Sequence, residues 1–248
     1  MVSILRAGKV DFAILGQEEA CTGDSARRAG NEYLFQMLAQ QNIETLKGYG
    51  VEKILTICPH CMHTFKVDYP DFDGHFEVVH HTTFIRQLMA EGRLKLDNAV
   101  GKRFAYHDSC YLGRYHDIYE DPRAVIESVP GASCQEFPRN ESRSVCCGAG
   151  GARFWLEEHN GQRINVHRVE EAIDAKLDNI ATACPFCLTM LSDGLKDKMK
   201  EEEIGSMDIA EIVAKALEVE TAESDDETQE PPAATAESTD ESTSEATA

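Results

Sequence analysis

The chain has 248 residues, enough for one or two domains with a real core, and 42% of them are hydrophobic, an ordinary share for a soluble protein. Its formal net charge is -20, and half of that excess lies in residues 220–248, which hold ten acids and no Lys or Arg. A surface of that sign excludes nucleic acid as an expected partner, because phosphates need basic side chains to neutralise them, and it opposes direct docking on anionic lipid.

The first expected strand is Phe12–Leu15, which leads to the stretch around Cys21 and Thr22. A helix is expected over Asn31–Lys47, with Leu34, Met37 and Leu38 on one face and Gly48 and Gly50 ending it. Lys53–Ile57 reads as a strand that delivers Cys58 and Cys61 in the order Cys-Pro-His-Cys, with Pro59 suited to the first turn of a helix. Phe76–His80 reads as a strand and Thr82–Glu91 as a helix, followed by a polar link through Asp97. Arg103–His107 is again a strand, ending just before Cys110, and Pro122–Val129 is a short helix. The glycine-rich turn Cys146–Gly151 follows, then a helix over Ile164–Leu177. Ile180–Ala183 is a strand delivering Cys184 and Cys187, with a helix from Pro185. Asp208–Leu217 closes the fold: Ile209, Ile212, Val213 and Ala216 form an apolar stripe, and Asp208 with Glu211 matches a capping box.

Overlaying the halves shows a repeat. Cys21 lies 125 residues before Cys146, and Cys58 lies 126 before Cys184. Strands alternating with helices predict an α/β fold of two pseudo-repeated domains, 1–97 and 98–219, each a short parallel sheet flanked by helices. The cysteines then sit at the carboxyl edges of strands, where open α/β sheets bind ligands. Residues 220–248 are too polar to offset their ordering entropy, and a disordered acidic tail is expected there.

Met1–Gly16 has no export signal, and no apolar run approaches the ~20 residues that span a bilayer. The expected setting is the cytoplasm, or the inner face of the membrane reached through a partner. In that reducing environment nine cysteines suggest metal ligands or redox centres rather than disulfides.

The chemistry lies in five of those cysteines. Cys110 is followed by 35 residues, the adjacent pair Cys146 and Cys147 by 36, and then Cys184 and Cys187 by the same Cys-x-x-Cys spacing as in the first half. Iron in a cluster prefers thiolates, and a cluster needs several that converge from different directions. A Cys-x-x-Cys at a helix start supplies two on one turn, where the helix N-terminus favours the thiolate. Gly148, Gly150 and Gly151 permit the backbone angles that aim two neighbouring thiols together, and leave room for backbone N–H groups to approach the cluster. Three other readings stay open at this point. Zinc fits poorly, because 122 residues separate the two Cys-x-x-Cys pairs and a fifth thiol exceeds a tetrahedral set. Thioredoxin-like dithiols share the strand–helix setting but do not explain the matched upstream cysteines. Inert buried cysteines do not explain the repeated spacing. Cys134 is read as a small apolar residue, His60, His63, His80, His81 and His107 as hydrogen-bonding or capping groups, and Arg114 and Arg153 as surface arginines.

The set Cys110, Cys146, Cys147, Cys184 and Cys187, with Cys-Cys-Gly at its centre, resembles the cysteine-rich CCG domain family, which includes cysteine-rich components of the heterodisulfide reductases and of glycolate oxidase. The wider phrases around Gly23–Tyr33, Tyr106–Tyr115 and Cys146–Trp155 look closest to the heterodisulfide reductase D-like iron–sulfur oxidoreductases, and the resemblance runs from about Asp11 to Leu217. It implies a non-cubane 4Fe–4S cluster on the five cysteines. The first half departs from the pattern: Thr22 stands where a second adjacent cysteine is expected, so Cys21, Cys58 and Cys61 form an incomplete second set. Such relatives are longer, and this chain looks like their C-terminal part. The resemblance implies an electron-transfer oxidoreductase working with a flavin dehydrogenase, an electron-transfer flavoprotein or a ferredoxin-type domain, with a quinone or disulfide acceptor and in some cases a membrane component. Two alternatives are a disulfide-reducing enzyme acting at the cluster and a zinc-stabilised binding module.

Overall fold

A computed structural model describes residues 1–156 and 161–217. The acidic tail expected at 220–248 lies outside the described residues.

The fold is α/β with two parallel sheets. The first is the pair β1 (Lys53–Thr56) and β2 (Glu77–His80), in register from Lys53 opposite Glu77 to Thr56 opposite His80. The second holds β3 (Arg103–His107), β4 (Ser133–Gln135), β5 (Asn179–Thr182) and β6 (Gly205–Asp208) in the order β4-β3-β5-β6. β5 is buried along its length, which explains its unbroken run of small and branched residues.

The repeat is visible in the chain path. β1 runs into α4 (Pro59–His63), and β2 runs into α5 (His81–Ala90). In the same way β5 runs into α9 (Pro185–Asp197), and β6 into α10 (Ile209–Ala216). α10 forms as expected: Ile209, Ile212, Val213 and Ala216 are fully buried, and Asp208 with Glu211 closes a reciprocal capping box. Burying side chains of this size contributes ~1.5–3 kcal/mol each for the larger ones. The largest core cluster draws Met62, Val78, Ile85 and Leu88 from the first half, and Phe104, Leu112, Ile126 and Ile212 from the second. The two halves therefore share a core, and the ends of β1 and β5 face a common region. His81 adds a polar tie, with Nε2 3.1 Å from an Asp208 carboxylate oxygen.

Two sequence expectations are corrected. Phe12–Leu15 is not a strand; no sheet edge pairs with it, and Ile14 is 74% exposed. The helix α3 (Glu32–Gly48) forms, capped by the Asn31 side chain accepting from Leu34 N–H. Its inward face, however, is Phe35, Ala39, Asn42, Ile43 and Leu46 rather than Leu34 and Met37, which are exposed. Both stripes have helical spacing. Phe35 wins because Phe72 meets it edge-to-face at 5.7 Å and Arg27 lies over its ring at 4.6 Å.

Candidate metal centre

Three helices begin at cysteines. Cys58 caps α4, Cys184 caps α9, and Cys110 is the first residue of α6 (Cys110–His116). Pro59 and Pro185 occupy the first helical turns, where no N–H is needed. β1, β5 and β3 each deliver the chain to its helix within a few residues, so thiols from distant sequence positions meet at one carboxyl edge. Cys146 and Cys147 reach the same place from the turn after Ser144.

The structure joins all five second-half thiols and two of the first. Cys187 Sγ lies 3.3 Å from Cys147 Sγ. Cys146 contacts Cys110 and Cys147, Cys184 contacts Cys187 and Cys58, and Cys58 contacts Cys61. The result is one chain of sulfurs in the order Cys110, Cys146, Cys147, Cys187, Cys184, Cys58, Cys61. Cys58, Cys147, Cys184 and Cys187 are buried, whereas Cys61, Cys110 and Cys146 are half-buried. No disulfide links any cysteine among the described residues. Cys21 is exposed and receives the Gly23 N–H at 3.4 Å. Thr22 donates its hydroxyl to Cys61 Sγ at 3.5 Å, so the residue standing in for a second cysteine still addresses the sulfurs. Cys134 lies in β4, outside this array, and packs against the large core cluster.

Neighbouring polar groups hold the array. Gly148 N–H donates to Cys146 Sγ at 3.3 Å, and Ser109 Oγ donates to Cys187 Sγ at 3.5 Å. Gly148 has φ +94°, a backbone that side chains rarely adopt, and a Cβ there would stand 3.2 Å from Ile164 Cβ. Gly150 does not share the need: a Cβ there meets nothing within 4 Å. Arg114 is exposed, but its guanidinium is engaged with the backbone. It donates to the carbonyls of Ser142 at 3.1 Å and Ser144 at 2.6 Å, and so clamps the approach to Cys146. Asp108 is buried; it accepts from the two terminal nitrogens of Arg123 and from the Glu141 N–H at 2.7 Å, fixing the same loop from the other side.

The thiols cannot all ionise side by side. Hydrogen bonds from Cys110 and then Cys147 hold Cys146 far below the usual thiol range, and Cys184 with Cys61 does the same for Cys58. Their neighbours move the other way: Cys110 is raised by Cys146, Cys61 by Cys58, Cys147 by Cys146 and Cys187, and Cys184 by burial. A cation brought among these sulfurs would relieve the repulsion, because metal binding displaces thiol protons. The donor set thus fits a thiophilic metal centre: converging thiols, backbone and hydroxyl donors to sulfur, and a desolvated interior.

Asp24, Tyr111 and Arg168 escaped the sequence reading. His60 sits against Tyr111 with ring centroids 3.9 Å apart, and its Nδ1 lies 3.0 Å from a carboxylate oxygen of the buried Asp24. Arg168, fully buried, stacks on Phe137 at 3.5 Å and donates to His107 Nδ1 at 3.1 Å. Nothing in the spacing of Arg168 set it apart from a helix surface residue. A buried arginine becomes legible only when the strand end at His107 packs beneath it.

The sequence matches the cysteine-rich CCG domain over residues 1–66 and 104–192. It is 43% identical over 214 residues to a probable iron–sulfur-binding oxidoreductase, FadF, of Bacillus subtilis, covering 86% of this chain and 30% of that protein. It is 43% identical over 225 residues to an EtfAB:quinone oxidoreductase of Syntrophomonas wolfei, covering 88% of this chain and 31% of that one. A component of the dihydromethanophenazine:CoB–CoM heterodisulfide reductase of Methanosarcina barkeri is 35% identical over 218 residues, covering 86% and 53% respectively. The chain spans about a third of the length of the first two and about half of the third. It belongs to the cysteine-rich CCG domain family.

Proposed function

We propose that this CCG-domain chain is the iron–sulfur part of an oxidoreductase, passing electrons through a 4Fe–4S cluster held by Cys110, Cys146, Cys147, Cys184 and Cys187. The observation that carries this reading is the buried approach of Cys147 Sγ to Cys187 Sγ at 3.3 Å, with the other second-half thiols in pairwise interaction beside them and no disulfide among the described residues. The names of the relatives support it: an iron–sulfur-binding oxidoreductase, an EtfAB:quinone oxidoreductase and a component of a heterodisulfide reductase. The cluster type suggested by the family resemblance is the non-cubane one. Such a centre supplies one-electron chemistry, while the chain supplies ligands, hydrogen bonds and exclusion of water. Cys21, Cys58 and Cys61 form a second, incomplete set, and Cys58 contacts the first set directly through Cys184. The halves 1–97 and 98–219 act together in this reading.

The electron donor is a flavin dehydrogenase, an electron-transfer flavoprotein or a ferredoxin-type domain, and a quinone pool is the acceptor. Electron transfer is favoured over disulfide cleavage at this centre because Cys147 and Cys187, the central pair, are only 3% and 2% exposed. Electrons cross a few ångströms of protein, whereas a disulfide substrate needs an open sulfur or iron face. Among the described residues no helix is long and apolar enough to cross a membrane.

The test is anaerobic purification followed by iron, sulfide and zinc assays per chain and an EPR spectrum. About four iron and four sulfide per chain, lost in Cys146→Ser or Cys147→Ser, support the reading. About eight of each place a second cluster on the first-half set. Stoichiometric zinc with no sulfide refutes it.

A further inference from the structure

The Arg168–His107 pair lies outside the cysteine set, although His107 falls within the Tyr106–Tyr115 stretch. Arg168, in α8 (Ile164–Asp174), has no exposure, and a buried guanidinium is costly unless its donors are used. Its donors are spent: Nε on His107 Nδ1 at 3.1 Å, one terminal nitrogen on Glu171 and on the Arg139 carbonyl at 3.2 Å, the other on Ser144 Oγ at 3.4 Å. His107 ends β3 and is buried. One of its ring nitrogens, with Cys147 Sγ and Cys187 Sγ, forms a group whose ligand atoms all lie within 4.8 Å of one another.

That trio invites reading His107 as a metal ligand. The Arg168 contact argues otherwise. An arginine N–H is an obligate donor, so the nitrogen that it faces must offer a lone pair. His107 Nδ1 is therefore the acceptor, and the ring proton sits on Nε2. A protonated Nε2 donates a hydrogen bond and does not ligate. The ring is locked in place at one end, by a group that is itself held by Glu171, Ser144 and the face of Phe137.

We propose that Arg168 positions His107 to donate its Nε2–H to sulfur at the Cys147–Cys187 centre, and that this relay raises the reduction potential of the centre. The inference rests on the iron–sulfur reading above and assigns it two residues outside the cysteine set. Reduction adds negative charge to the cluster. A donated N–H and a buried cation behind it both stabilise that charge, and hydrogen bonds to the sulfurs are among the recognised determinants of potential. Arg168 is a positioning residue, because it acts through His107.

The experiment is an EPR-monitored redox titration of the anaerobic holoprotein, with iron and sulfide content measured alongside. Arg168→Met and His107→Phe are expected to keep their iron while the reduced-to-oxidised ratio at a given potential falls at least tenfold, a downward shift of ~59 mV for a one-electron couple. His107→Gln, which keeps an N–H donor, is expected to recover part of the shift. If either nonpolar variant loses its cluster, the wild type decides the matter. In protein labelled with ¹⁵N-histidine, pulsed EPR of the reduced cluster should show a weak nitrogen coupling, of the size of a hydrogen bond. Full iron content with unchanged potential, no nitrogen coupling, or a strong coupling of directly ligated nitrogen would each overturn the inference. Wild-type protein without iron and sulfide would instead refute the underlying functional reading.

Discussion

Gly148→Ala separates the turn that aims the thiols from the glycines that merely accompany it. The native φ of +94° lies in a region that costs an L-residue ~1–2 kcal/mol. The added Cβ would also stand 3.2 Å from Ile164 Cβ and 3.3 Å from Met190 Cε, and overpacking of this kind typically costs ~1–3 kcal/mol. Together the loss is ~2–5 kcal/mol, a large part of the stability of an ordinary domain. The Gly148 N–H that donates to Cys146 Sγ at 3.3 Å would be displaced with the turn. The assay is urea unfolding of the reduced, metal-free protein followed by circular dichroism. Gly150→Ala is the control, because its Cβ meets nothing within 4 Å and its φ is not positive; its cost is expected within ~0.5 kcal/mol. Equal unfolding midpoints for the two variants would refute the argument that Gly148, in particular, is required by the geometry of the turn.

Cys58→Ser is expected to alter the EPR spectrum of the second-half centre, because Cys58 contacts Cys184; a spectrum identical to wild type would show that the two sets are independent. Arg114→Met removes two donors from the carbonyls of Ser142 and Ser144, and is expected to cost ~1–2 kcal/mol in the same unfolding assay, with Arg114→Lys intermediate. Acid should weaken the metal-free fold. Burial lowers the pKa of His80, of His107 to about 3 and of His116 to about 4, so the unfolded chain binds more protons than the fold below its own histidine pKa of ~6.5. Stability from these groups is complete above ~6.5 and falls as pH drops toward the folded values, by at most ~1.4 kcal/mol per pH unit for each of the buried His80 and His107, and by less for the half-buried His116, where solvent screens the shift. Unfolding midpoints measured from pH 7.5 to 5 should decline, and less steeply in His80→Gln; a flat profile contradicts the assignment of neutral buried histidines.

The amino-acid sequence by itself determined most of the local elements and singled out the cysteines. Periodicity and caps located α3, α5, α9 and α10, and Arg103–His107 forms a strand over the expected residues, because these signals are local and survive in any tertiary setting. Cysteine spacing singled out Cys110, Cys146, Cys147, Cys184 and Cys187, because a repeated spacing is readable along the chain without any tertiary information. Tertiary structure decided what local signals leave degenerate. α3 carries two apolar stripes of equal helical spacing, and only the rings waiting at Phe72 and Tyr69 select Phe35 over Leu34. Phe12–Leu15 has a strand's composition but no edge to pair with, and pairing is a property of the sheet rather than of the segment. The meeting of Cys58 with Cys184 spans 126 residues, and the burial of Arg168 against His107 spans 61. Such contacts depend on how two sheets share one core, which no window along the chain contains.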